Sequence, residues 1–166
     1  MTNVGHLTRR FFGSLRPGGP PTFDDAWAVT HLGAGETALW RRMSDADRRH
    51  AVGVARRVED ALGDEATGAV IAAALLHDVG KIESSLGTFG RVAATVLAAV
   101  LGRRRLAKTH GRVGRYLRHD SIGADLLRDA GADRATVLWA AEHHQPSAAW
   151  SLPARVAAAL KAADDD

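Results

Sequence analysis

Leu75-Leu76-His77-Asp78-Val79-Gly80-Lys81-Ile82 decides how the rest of the chain is read. The segment closes an apolar helix with an imidazole and a carboxylate side by side, two metal ligands of different kinds. Lys81 follows one turn later, where a phosphate can be met. Neighbouring residues on a helix point about 100° apart, so the pair can address one centre only from a helix end. The two oxygens of Asp78 can bridge two ions. Around this segment lie His50 upstream, and His119, His143-His144 and Asp164 downstream.

The chain has 166 residues, 46% of them hydrophobic, which suits one domain with a real core. It has no cysteine. Disulfides, zinc-thiolate sites and cysteine nucleophiles are therefore excluded, and any metal must be held by nitrogen and oxygen. The longest apolar stretch, Val92 to Leu101, is about half a membrane span, and no apolar signal segment follows the basic start at Arg9 and Arg10. The expectation is a soluble, cytoplasmic protein with no membrane partner. The formal charge is only +3, yet Arg103, Arg104, Arg105, Lys108, Arg112, Arg115 and Arg118 fall within sixteen residues. A solvated face is the preferred reading of that stretch, ahead of a nucleic-acid surface.

Gly13 to Pro21 carries three Pro and three Gly, the composition of an arm or loop. The remainder reads as helix after helix, without an alternating stretch that argues for a strand. Asp24 to Leu32 and Gly35 to Met43 are predicted as short helices. Ser44 is the predicted N-cap of a longer one reaching Leu62, with His50 in its first turn and Ala51, Val54, Ala55, Val58 and Leu62 on its core face. Asp64 is predicted to start the next helix and Gly80 to end it. Helices over 88–101, 121–130 and 133–144 follow, then a last one with Pro153 at its first position. The fold class is an all-α helical bundle.

These residues together resemble the HD-domain metal-dependent phosphohydrolases, including the branch of HD-GYP cyclic-dinucleotide phosphodiesterases. The likeness runs from His50 to Asp164. His77-Asp78-Val79-Gly80-Lys81 matches the HDxGK signature, and His119 precedes Gly123-Ala124-Asp125-Leu126-Leu127 as the family's histidine precedes its Gly-Ala-x-Leu-Leu helix. His143-His144 matches the double histidine, and Asp164, after Leu160-Lys161-Ala162-Ala163, matches the closing aspartate. Residues 1–40 are expected to form an arm with short helices, and residues 41–166 the HD domain. The resemblance implies a binuclear site, with His50, His77, Asp78 and Asp164 around one ion and His119, His143, His144 and a bridging Asp78 around the other.

Two divalent ions among Mn, Fe, Co, Ni and Zn suit such ligands. The implied reaction is hydrolysis of a phosphomonoester or phosphodiester, of a nucleotide or nucleotide-like substrate, by a metal-bridging hydroxide. Lys81 would hold a phosphoryl oxygen. Gln145-Pro146-Ser147 replaces any Gly-Tyr-Pro motif, so cyclic-di-GMP specificity is not carried over, and Ala46 stands where some relatives hold a third ion. A di-iron oxygenase on the same scaffold, a non-catalytic nucleotide-binding module and an RNA-associated protein using Arg103 to Arg118 remain as competing readings. His6 and His31 are expected to be structural or exposed, and His110 to lie at the surface or rim.

Overall fold

The computed structural model describes residues 18–166 and is all-α. Among the described residues there are ten α-helices, renumbered here in chain order, and three short 3-10 turns. Helices α1 (Thr22–Thr30) and α2 (Ala34–Arg42) lead into α3 (Asp45–Leu62). The Ser44 hydroxyl caps α3 by accepting from the Asp47 amide at 3.2 Å. The expected core face of α3 is buried at Ala51, Val54, Ala55, Val58 and Leu62. His50 falls in the second turn of α3 rather than the first, because the helix starts at Asp45.

The following helix, α4, spans Gly68–Leu76, later than the expected start at Asp64. Gly63 adopts φ +53°, ends α3 and opens a 3-10 turn over Gly63–Glu65 that absorbs Asp64. Helix α4 is the centre of the molecule. It carries no polar side chain, seven of its nine residues are buried, and α3 and α9 pack against it. An all-apolar helix is stable in water only when surrounded. Its small residues Ala72, Ala73 and Ala74 are almost fully buried.

Beyond α4 the chain forms a 3-10 turn over Val79–Ser84, then α5 (Thr88–Leu101), α6 (Arg103–Ala107) and α7 (Arg112–Leu117). Helices α8 (His119–Asp129), α9 (Arg134–Glu142) and α10 (Ala154–Asp165) complete the bundle. Asp133 caps α9 through the Ala135 amide at 2.7 Å, and Pro153 is the N-cap of α10 rather than its first residue. Trp40 and Trp139 are core residues, and Trp27 and Trp150 pack partly buried against it.

The basic stretch is only partly the solvated face expected of it. Arg103 donates to the Leu117 carbonyl, Arg112 to Ser84, Arg115 to Glu83 and His110, and Arg118 to Ala107 and Thr109. Arg112 and Arg115 tie α7 to the turn after Asp78, Arg103 and Arg118 tie the α6 segment to α7, and Arg104, Arg105 and Lys108 remain exposed. His110 is exposed and His31 half-buried; His6 and the arm up to Pro17 lie outside the described residues. No single helix among the described residues is long and apolar enough to cross a membrane.

Candidate metal centre

Helix α4 ends where the chemistry begins. His77 is its C-cap, and Asp78, at φ −100° and ψ 8°, swings the chain into the 3-10 turn. The change of backbone path lets two sequence neighbours face one space, with His77 Nε2 3.3 Å from Asp78 Oδ2.

Gly80 does not act as the expected helix-ending glycine, since its φ is not among the positive ones. What it supplies is proximity: a Cβ there would fall 1.9 Å from the His119 carbonyl oxygen and 2.6 Å from the Gly123 nitrogen. The start of α8 can thus lie against the turn, which brings His119 Nε2 to 3.2 Å from Asp78 Oδ1. His143, the C-cap of α9, is fully buried with Nε2 3.8 Å from the same oxygen. His144 sits at the rim, its Nε2 3.2 Å from that of His119.

Asp164 is brought in by α10. Its side chain is buried, with Oδ1 3.1 Å from His50 Nε2 and 3.4 Å from His77 Nε2, whereas Asp165 and Asp166 are exposed. Arg57, two turns beyond His50 on α3, donates from Nε and Nη2 to the Ala163 carbonyl at 3.1 and 2.7 Å. That contact holds the end of α10 over the centre, a role that sequence reasoning missed. The i, i+7 relation to His50 was its only signal.

Three histidines are oriented by one device. The Nδ1 of His77 donates to the Ala74 carbonyl at 2.9 Å, that of His119 to Tyr116 at 2.8 Å, and that of His143 to Ala140 at 3.0 Å. Each uses the carbonyl three residues earlier, and for His77 and His143 this is one of the groups a helix end leaves without an intrahelical partner. With Nδ1 protonated, a neutral ring presents the lone pair of Nε2 to the centre. The buried Nε2 atoms of His77 and His143 have no hydrogen-bond partner.

Lone pairs therefore converge on carboxylate oxygens, an arrangement that needs positive charge between them. Two groups of metal-capable donors lie within 4.8 Å among themselves: Asp78, His119, His143 and His144, and His50, His77 and Asp78. Asp78 is common to both. With Asp164, which reaches His50 and His77, the seven residues singled out in the sequence meet in one place, and the donor set fits nitrogen- and oxygen-loving divalent ions.

The protonation pattern of the protein without metal says the same. Burial works against a charged His77, but Asp78 and Asp164 outweigh it and raise its pKa to about 10. A proton there supplies the cationic charge that the carboxylates demand. For His143, burial and the neighbouring His77 lower the pKa to about 4; for His144, packing against the cluster and repulsion from His143 and His119 lower it to about 3. Asp78 is held well below the usual carboxylate range, burial being overcome by Lys81 and His77. Asp164 is held low chiefly by His77, again against burial.

Lys81 places its ammonium on Asp78 Oδ2. Burial opposes its charge, but Asp78 and Asp47 prevail and raise its pKa. It is a fixed cation rather than a base. Beside it, Asp47 receives a bidentate ion pair from Arg91, whose Nη2 lies 2.7 Å from Oδ2, and a hydrogen bond from Ser44. Arg91 also donates from Nε to the Leu86 carbonyl, leaving two of its five N–H groups for other partners. It lines a cavity of about 290 Å3 with Ser44, Asp45, Ala46, Leu86, Gly87 and Thr88. Ala46 lies one turn before His50 on α3, so this cavity adjoins the centre rather than containing it.

No curated protein and no solved structure matches the chain. A family model described as the HD domain matches residues 48–165, a span that holds all seven donor residues and Lys81. The chain belongs to the HD-domain family.

Proposed function

We propose that the protein is a cytoplasmic metal-dependent phosphoric ester hydrolase acting on a phosphomonoester or phosphodiester, of a nucleotide or nucleotide-like molecule. The HD superfamily consists mostly of metal-dependent phosphohydrolases. The observation that carries the reading is the convergence of six metal-capable residues, joined by Asp164 through His50 and His77, on a space where two buried imidazole nitrogens have no partner. His50, His77, Asp78 and Asp164 would hold one ion, and Asp78, His119, His143 and His144 the other. Bound divalent ions supply Lewis acidity toward a phosphoryl oxygen and acidify water near neutral pH.

The chain's own residues do the rest. Asp78 offers one oxygen to each half of the cluster and keeps the halves in register. Lys81, permanently charged, lies where negative charge grows as an ester bond to phosphorus breaks, and a fixed cation offsets it without reorganisation. Arg91, clamped by Asp47, presents its two remaining N–H groups to the adjoining cavity, which suits a further phosphate or a sugar hydroxyl of the substrate.

The test is a hydrolysis screen of the protein loaded separately with Mn, Fe, Co, Ni or Zn, using p-nitrophenyl phosphate, bis(p-nitrophenyl) phosphate and nucleotides. Turnover that needs metal and vanishes in Asp78→Ala is expected. Absence of hydrolysis with every ion, together with oxygen consumption by the iron-loaded protein, would replace the hydrolase with the oxygenase.

A further inference from the structure

Helix α5 is built the wrong way round for a surface helix. Only Ala94 and Ala98 of its residues are buried, while Phe89, Val92, Val96, Leu97, Val100 and Leu101 are exposed, Val100 to 75% and Phe89 to 71%. At about 100° per residue these six cover roughly half the circumference, opposite the line of Arg91, Ala94 and Ala98 that faces the protein. A surface helix ordinarily turns its polar side outward. An apolar face this broad marks an interaction surface.

The charge around it identifies the partner. From Ser84 to His119, thirty-six residues, the chain has eight Arg or Lys and no Asp or Glu. Arg91 is paired with Asp47, but among the described residues none of the other seven makes an ion pair, and the carbonyls that several of them cap are neutral. Arg104, Arg105 and Lys108 are exposed within seven residues of the end of α5. A second copy meeting this surface across a two-fold axis would set like charge against like. Apart from Phe89 the face is aliphatic, so it offers RNA bases no run of stacking platforms.

We infer that α5 and the exposed basic residues after it form a docking surface for an anionic lipid bilayer, with the helix lying along the interface and its valine and leucine face in the acyl boundary. An apolar helical face beside a cluster of Arg and Lys has the makings of an interfacial helix, and anionic headgroups supply the complementary charge. The expectation of no membrane partner rested on the lack of a spanning segment, which a helix lying on the surface does not need. Helix α4 takes no part in this, since it is buried and the α4 and α5 segments are bent by 85°. The inference is independent of the proposed hydrolysis.

The full chain is sedimented with vesicles of phosphatidylcholine alone and of phosphatidylcholine mixed with phosphatidylglycerol. Binding to the mixed vesicles only is expected, weakening as salt is raised. Replacing Arg104, Arg105 and Lys108 together by Gln should weaken it about a hundredfold, roughly fivefold per charge. Val96→Asp and Val100→Asp should each abolish it, with helical circular dichroism and metal content unchanged. Three results overturn the inference: no binding to anionic vesicles; binding that both Asp variants retain; or, without vesicle binding, a dimer seen by light scattering or retention of RNA.

Discussion

Replacing Gly80 by Ala inserts one methyl group where two backbones touch. The new Cβ would lie 1.9 Å from the His119 oxygen, 2.6 Å from the Gly123 nitrogen and 2.8 Å from the His119 carbonyl carbon. Unstrained contacts are about 3.5 Å, so α8 must retreat by roughly 1.5 Å from the turn after Asp78. No flexible side chain can absorb the change, since all three atoms are backbone. Overpacking of this kind costs about 1–3 kcal/mol, or a fall of roughly 2–12 °C in Tm for a domain of this size. Because α8 carries His119, the same retreat draws a donor away from Asp78, and metal content should fall with stability. The assay is thermal unfolding by circular dichroism with elemental analysis of the same samples. Gly68→Ala is the control: its Cβ meets nothing within 4 Å, and stability should be unchanged or slightly higher. A Gly80→Ala protein with wild-type Tm and full metal content would refute the close approach of α8 and the turn as the element that builds the site.

Other expectations follow from the same contacts. Asp78→Ala should lose metal and activity while retaining helical circular dichroism, because one side chain serves both halves of the cluster; an active, metal-replete variant would sink the shared role. Lys81→Ala should keep its metal and turn over about a hundredfold more slowly, the usual loss for one fixed charge donor; loss of metal would show that Lys81 acts by holding Asp78. In metal-free protein the pKa of His77 is raised to about 10, above the ordinary value near 6.5 in an unfolded chain. Its contribution to stability is therefore complete below about pH 6.5 and is lost as pH rises toward 10. Metal binding must displace that proton. Calorimetric titrations at pH 7 in buffers of different ionisation enthalpy should find about one proton released per chain, and affinity should rise about tenfold per pH unit. His143 has the opposite sign: its pKa is lowered to about 4, so stability falls as pH drops from about 6.5 toward 4.

What the sequence made legible was whatever depends on local pattern. The i, i+3, i+4 spacing of Ala51, Val54, Ala55 and Val58 gave α3 its buried face, and the bounds of α5 follow directly from its apolar run between Gly87 and Gly102. The seven donors could be named because they recur in one family order, and the fold brings them together. Asp164 was separable from Asp165 and Asp166 only through the residues before it; burial of the one and exposure of the others follows from how α10 packs on α3. What stayed hidden depends on contacts between distant segments. Gly80 looked like a helix stop but serves the approach of the His119 carbonyl, 39 residues away. Arg112, Arg115 and Arg118 looked solvated, yet each donates to a carbonyl that only tertiary structure places within reach. The outward apolar face of α5 was invisible for the same reason, since a hydrophobic run does not say which way it faces.

The most direct test of the account is the number of metal ions bound per chain, measured by elemental mass spectrometry on purified protein and again after chelation and reloading. About two ions per chain of Mn, Fe, Co, Ni or Zn, lost with Asp78→Ala, is the predicted result. A protein that is isolated without metal and takes up none of these ions would contradict it, and the convergence of seven donors would then be a feature of the fold alone.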